Sequence, residues 1–392
     1  MLRIFFLFYF LFPTIGLAQN IWQNRLQKYL LKGEQIRKNV LLQDSVGLYI
    51  KTLKKTYRFS WDSLQKLNAY YQIKEQEQQQ KWLLLRLSNQ FFGLPKFRGL
   101  RIAIDPGHFA GDFSTAQIEG KYIKTTLPDS TAVEFYESSL AWATAKILAD
   151  SLQKYGAEVL LTRSEHNFTA FNKTFQEIYS EYANNFMKQS KSRIRKQRPL
   201  PPNLFFRNYF KKVELLERVR KINAFQPDLT IIIHYNVDEN NAPWKQTSSQ
   251  NFAMAFVAGA FEAEDLQKNE EIESFIRLLC SKEIEKSAEL AEKILQSHEK
   301  VADVPIVPLQ NNQNFLQKYC LWTGRRGVYA RNLLLCREIK GILCYGESLL
   351  QDSKQEIRKL NEKTLKIANL YTSPRVIEVG NAYWHGICSF LW

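Results

Sequence analysis

Three short apolar runs, Leu100–Ile104, Val159–Leu161 and Leu229–Ile233, alternate with stretches whose apolar residues recur at helical spacing. Runs this short and this apolar read as buried strands. Phe252–Val257 and Ile342–Tyr345 extend the set. Between them, Ser138–Tyr155 places Leu140, Ala143, Ile147, Leu148 and Leu152 on one helical face, and Gly156 suits the C-terminal cap. Leu215–Phe225, Lys286–Ser297 and Gln355–Leu370 read as further helices. Strands alternating with helices predict an α/β fold, a twisted and mostly parallel sheet flanked by helices. With 392 residues, 45% of them hydrophobic, the chain can bury one large core and carry an extra segment, which excludes global disorder.

The flanks differ in character. Arg3, the apolar run Ile4–Phe12 and the small-residue ending Gly16-Leu17-Ala18 read as a secretory signal peptide over 1–18. The run is too short to span a bilayer, and Pro13 interrupts it, so no stable membrane anchor is expected. Residues 19–97 are polar and read as mostly helical, clearest over Trp61–Asn89, with Leu94-Pro95 marking the boundary of a domain over 98–371. Within that domain, 167–211 is rich in aromatic and basic residues and in proline, and reads as an insertion. The acidic segment Phe261–Lys286 is favoured as an ordinary surface helix, and 372–392 forms a C-terminal tail. Export to the periplasm or the extracellular space permits disulfides, yet Cys280, Cys320, Cys336, Cys344 and Cys388 are odd in number and fit no metal-binding spacing, so buried thiols are favoured. A net charge of +15 points to anionic cell-wall polymers, membrane surfaces or carboxylate-rich peptides ahead of nucleic acid.

Two of the five histidines stand at strand ends: His108 after Asp105-Pro106-Gly107, and His234 directly after Ile233. Functional groups of open α/β sheets gather at the carboxyl ends of strands, so the two can converge. Glu137 opens the helix from Ser138 and supplies a carboxylate. Two imidazoles and one carboxylate suit Zn2+ and leave a position for water, the arrangement of metal-assisted hydrolysis. Such chemistry needs a second carboxylate for proton transfer. Glu347 is well placed, with Glu119, Glu134 and Glu338 as competitors.

Ile104-Asp105-Pro106-Gly107-His108 resembles the opening motif of the zinc-dependent N-acetylmuramoyl-L-alanine amidases, the family often called amidase 3. Glu137 is followed at the family's spacing by Gly156, Val159 and Thr162-Arg163, which selects it over Glu134. Leu215, Arg218 and Ile222-Asn223 then lead into Asp228–Asn236, similar to the family's third-ligand strand with its His-x-Asn ending. Arg326-Gly327-Val328 and Leu335-Cys336-Arg337 precede Glu347 as similar residues do in the family, which favours Glu347 over Glu338. Four blocks in order, over about 100–371, make the resemblance specific. It implies that His108, Glu137 and His234 bind zinc, that Glu347 is general base and acid, and that the substrate is the amide between N-acetylmuramic acid and L-alanine in peptidoglycan. It also admits a protein activator and, by analogy with some relatives, an inhibitory helix within Phe261–Lys286.

The chain departs from the family in three places. Phe109-Ala110 stands where Gly-Gly is usual, Ile232 where a serine precedes the third ligand, and Glu347-Ser348-Leu349-Leu350 where Glu-x-Gly-Phe is usual. These departures bear on substrate preference more than on metal binding. They motivate two rivals: a catalytically weak, zinc-bearing cell-wall binding protein, and a zinc hydrolase of another amide.

Overall fold

The computed structural model describes residues 21–33, 36, 40–190, 198–241, 246–311 and 313–392. The signal-peptide reading therefore lies outside the described residues.

After a helical segment over 21–30 come a three-stranded antiparallel sheet, β1 (Leu41–Gln43), β2 (Gly47–Lys51) and β3 (Thr56–Ser60), and a 31-residue helix, α1 (Trp61–Phe91). Most of the described residues of 19–97 are helical, and this sheet is the part of the region that the reading did not include. Its strands are only three to five residues long, too short to establish a periodicity. The Asp44 carboxylate closes the first turn by accepting from Val46 N and Gly47 N, at 2.7 and 3.0 Å. α1 starts where the sequence places it, capped by the Ser60 hydroxyl.

The central sheet is built from β4 (Arg101–Pro106), β7 (Glu158–Leu161), β8 (Leu229–Asn236), β9 (Met254–Val257), β10 (Cys320–Trp322), β11 (Val328–Arg331) and β12 (Leu343–Leu350). A hairpin of β5 (Tyr122–Thr126) and β6 (Ala132–Tyr136) stands apart from it. The order is β10-β11-β9-β12-β8-β4-β7. The pairs β11·β9, β12·β8, β8·β4 and β4·β7 are parallel, as the apolar runs predict, while β10·β11 and β9·β12 are antiparallel. β7 lies on one side of β4 and β8 on the other. The crevice beyond the carboxyl ends of β4 and β8 is thus the switch point where open sheets bind ligands.

The helices between these strands are α2 (Phe113–Glu119), α3 (Glu137–Lys154), α4 (Phe175–Ser190), α5 (Lys211–Phe225), α6 (Asn269–Cys280), α7 (Glu283–Val301) and α8 (Arg375–Leu391). α3 packs on β4, β7 and β8, and α7 on β9, β11 and β12. α8, the former tail, packs against both helices and buries Val376, Val379, Tyr383 and Ile387. The expected helix Gln355–Leu370 is shortened to a single helical turn, Ile357–Asn361, followed by a hairpin of β13 (Leu365–Ile367) and β14 (Leu370–Thr372). The hairpin turns at Ala368, with φ 51°, which no helix accommodates.

One buried apolar core runs from Trp22 to Leu391, so the N-terminal region and the sheet share it. α1 is tied to the end of the sheet opposite the switch point. Lys81 Nζ and Trp82 Nε1 reach the Asp228 carboxylate at 2.7 and 3.2 Å, and Asp228 also accepts from Arg101 N. No helix among the described residues is long and apolar enough to cross a membrane.

Candidate functional site

β8 does not stop at Ile233. It continues to Asn236, and β12 continues through Glu347 to Leu350, so His234 and Glu347 are register partners on adjacent parallel strands. Their side chains therefore emerge on the same face of the sheet. His108 follows β4 in the left-handed region, at φ 59°. Two buried arginines hold that conformation. Arg218 donates to Pro106 O at 2.8 Å and to His108 O at 2.6 Å, and is itself ion-paired to Glu214 and Asp105. Arg163 donates to the carbonyls of Pro106 and Gly107. Their donors are directed at the chain itself, so both arginines shape the loop.

Gly107 makes room for the His234 ring. A Cβ there would lie 2.4 Å from Cε1 of the His234 ring. The ring stacks on Tyr345 on another side, with centroids 4.6 Å apart.

His108, Glu137 and His234 converge, and their ligand atoms lie within 4.8 Å of one another. Glu137 Oε1 is 3.0 Å from His108 Nε2 and 3.1 Å from His234 Nδ1. His108 Nδ1 is engaged by Glu119 at 2.7 Å. Its Nε2 is buried and, despite its closeness to Glu137, lies off any hydrogen-bond axis. An orphaned ring nitrogen beside a buried carboxylate and a second imidazole fits a divalent cation of the zinc type.

The electrostatics are those of a buried group of opposite charges. Burial would lower His108, but Glu137 and Glu119 outweigh it and lift it to about 9. Burial lowers His234 to about 4. Glu137 is held well below the carboxylate range: burial opposes this, and His108 and Lys121 outweigh it. Burial, then the charge of Glu137, pushes Glu347 up to about 8. Its Oε2 is buried without a hydrogen-bond partner. A carboxyl group with that proton affinity can both take up and release a proton near neutral pH.

The four residues line a cavity of about 520 Å3 that also receives Lys121, Phe206, Lys211 and Arg331. The competitors fall elsewhere in role. Glu119 orients His108, Glu134 pairs with Lys124 on the β5–β6 hairpin, and Glu338 pairs with Arg337. None of the described residues of Phe261–Lys286 lines this cavity; α6 buries Ile272, Phe275, Leu278 and Leu279 against its surroundings. All five cysteines are free thiols, and all but Cys388 are buried.

The insertion and the departure at Phe109 explain each other. Phe109 packs against Phe175, Phe206 and Phe210, with centroids 5.5, 5.3 and 4.9 Å apart. These rings, with Phe205, form a second apolar core that seats the insertion beside the cavity. Lys121 and Arg331 are site residues that sequence reasoning did not name, and Glu119 it named only as a candidate for proton transfer.

The family model for N-acetylmuramoyl-L-alanine amidases matches residues 102–373. Among solved structures, the CwlD amidase of Clostridioides difficile, in complex with the GerS lipoprotein, is similar at 18% identity and a TM-score of 0.40, covering 75% of this chain and 98% of that one. The apo form of the amidase Ami1 from Mycobacterium abscessus shares 13% identity with a TM-score of 0.42, covering 76% and 100%. The catalytic domain of CwlV from Bacillus (Paenibacillus) polymyxa var. colistinus shares 15% with a TM-score of 0.39, covering 74% and 98%. No curated protein matches the sequence. Since the family model spans well over half of its residues, the chain belongs to the N-acetylmuramoyl-L-alanine amidase family.

Proposed function

We propose that this chain is an exported, zinc-dependent amidase that hydrolyses the bond between N-acetylmuramic acid and L-alanine in peptidoglycan. His108, Glu137 and His234 hold the metal, and Glu347 transfers the protons. The observation that carries this reading is the convergence of the three ligand residues with a buried carboxyl group of raised proton affinity in one cavity.

When bound, the dication would polarise the scissile carbonyl and acidify a water. Glu347 accepts a proton from the attacking water as its oxygen adds to the amide carbon. As the C–N bond breaks, Glu347 returns that proton to the nitrogen of L-alanine, which leaves as an amine. Glu119 keeps His108 in the tautomer whose Nε2 faces the ligand group. Phe206 and Tyr345 wall the cavity with apolar surface, which strengthens its electrostatics by excluding water. The chain's positive charge favours an anionic wall polymer.

The test is digestion of purified peptidoglycan with added zinc, followed by mass spectrometry. Free peptides beginning with L-alanine, beside peptide-free glycan, are expected. Glu347→Gln is expected to keep its zinc and lose turnover by about 100-fold or more. Intact muropeptides with the wild type would reject the amidase reading and favour a binding protein. Cleavage of a different bond would favour a hydrolase of another amide.

A further inference from the structure

Every other buried or half-buried arginine among the described residues has an acceptor. Arg25 pairs with Glu285, Arg101 with Glu158, Arg218 with Asp105 and Glu214, Arg277 with Glu283, Arg325 with Glu292, Arg337 with Glu271 and Arg375 with Glu356. Arg163 is satisfied by carbonyls. Arg331 differs: its guanidinium has no hydrogen bond and no ion pair among the described residues.

It is nonetheless held in place. Its Cζ lies 5.1 Å from the centroid of Phe256 and 5.3 Å from that of Phe315, within the range of cation–π attraction. Phe256 is fully buried on β9, the strand between β11 and β12, so one of the two rings is rigidly held. Arg331 ends β11 and lines the same cavity as His108, Glu137, His234 and Glu347. A guanidinium resting against two aromatic rings, with its planar donor fork unused, is pre-organised for a carboxylate. Glu137 is committed to the histidines and Glu119 to His108, and Glu347, which feels the charge of Arg331, makes no hydrogen bond or ion pair with it. The fork is therefore open to an acceptor that arrives with a ligand.

We infer that Arg331 binds a free carboxylate on the peptide side of the scissile amide, which makes it the residue that distinguishes acidic from amidated stem peptides. This rests on the proposed amidase function for the identity of the ligand. The first free carboxylate on the peptide side of the scissile amide is that of the second residue, the isoglutamate, which becomes a carboxamide in isoglutamine. A carboxamide cannot supply the charged, two-oxygen partner that the fork takes.

The experiment compares two synthetic muramoyl tripeptides that differ only in isoglutamate against isoglutamine. Binding is measured by calorimetry on zinc-loaded Glu347→Gln protein, and turnover on the wild type. The carboxylate ligand is expected to bind roughly ten- to a hundred-fold more tightly, the range of charge-assisted hydrogen bonds to an arginine. Adding Arg331→Gln is expected to bring that ratio close to one, and Arg331→Lys to leave an intermediate ratio. A structural role would weaken both ligands alike and leave the ratio unchanged. Equal binding of the two ligands to the Arg331-containing protein overturns the inference, as does full discrimination by Arg331→Gln. A calorimetric preference without any wild-type hydrolysis would leave Arg331 as the carboxylate receptor and reject the amidase reading instead.

Discussion

Gly107→Ala tests the metal centre with a single methyl group. The backbone at 107 lies outside the left-handed region, so alanine introduces no conformational strain of its own. The effect is steric. The new Cβ would sit 2.4 to 2.6 Å from Cε1, Nε2 and Nδ1 of His234, where ordinary carbon contacts begin near 3.5 Å. The ring or the loop must therefore retreat by about 1 Å. Neither is free to do so cheaply: Tyr345 stacks on the ring, and Arg218 and Arg163 tether the loop carbonyls. Overpacking of this kind costs about 1–3 kcal/mol. Metal–ligand distances tolerate only about 0.2 Å, so a shift of this size removes His234 as a ligand. Zinc affinity, measured by competition with a chelator and by metal content after dialysis, is expected to fall by about 100-fold or more, exceeding the loss seen for outer-shell partners. The metal-free protein should melt within several degrees of the wild type. Zinc affinity within three-fold of the wild type would refute the reasoning, because it would show that His234 either yields without cost or does not bind the metal.

Glu119→Ala removes the partner of His108 Nδ1 and is expected to weaken zinc binding by about 10- to 100-fold in the same assay, with the fold retained by circular dichroism. Arg218→Met strands Asp105 and Glu214 in the interior and is expected to destabilise the protein by about 3–5 kcal/mol in urea titrations. His298 is buried with its Nδ1 at Ile294 O, and burial, helped by the charge of Arg375, lowers it from 6.5 to about 4. The unfolded chain takes up its proton near 6.5 and the folded chain only near 4. The stability of the neutral, buried form is therefore fully present above 6.5 and is lost as pH falls through this window, by up to about 3 kcal/mol. His298→Gln is expected to flatten the urea-midpoint profile between pH 6.5 and 4, and an unchanged slope would show that other groups set the acid limit.

The candidate site was legible where a residue's position follows from its place in a strand or helix. His108 and His234 end apolar runs, and Glu137 opens a helix, so periodicity located all three. Periodicity failed where an apolar run is interrupted for a tertiary reason. Gly346-Glu347-Ser348 looks like a strand end, yet β12 continues because the absent Cβ of Gly346 admits the Tyr383 hydroxyl, and Ser348 bonds to it at 2.9 Å. Glu119 and Arg331 were illegible for another cause. Neither belongs to a motif; one acts through a bond to a ring eleven positions earlier, the other through the absence of any partner. Phe109 had a signal in hindsight, a large apolar side chain where the resemblance expects glycine, next to an aromatic-rich insertion that needed an anchor.

Tyr383 gives α8 a share in the reactive strand. Its hydroxyl sits against Gly346 and holds Ser348, the two neighbours of Glu347, while its ring meets His298 on α7 at 4.8 Å. β12 and α8 should therefore open and close as one cooperative unit in hydrogen exchange, with the amides of Leu343–Leu350 and Val376–Ile387 sharing a single opening free energy. Lesions along α8, remote from the candidate site, would then be felt first at Glu347, the proposed proton carrier, well before the molecule as a whole unfolds.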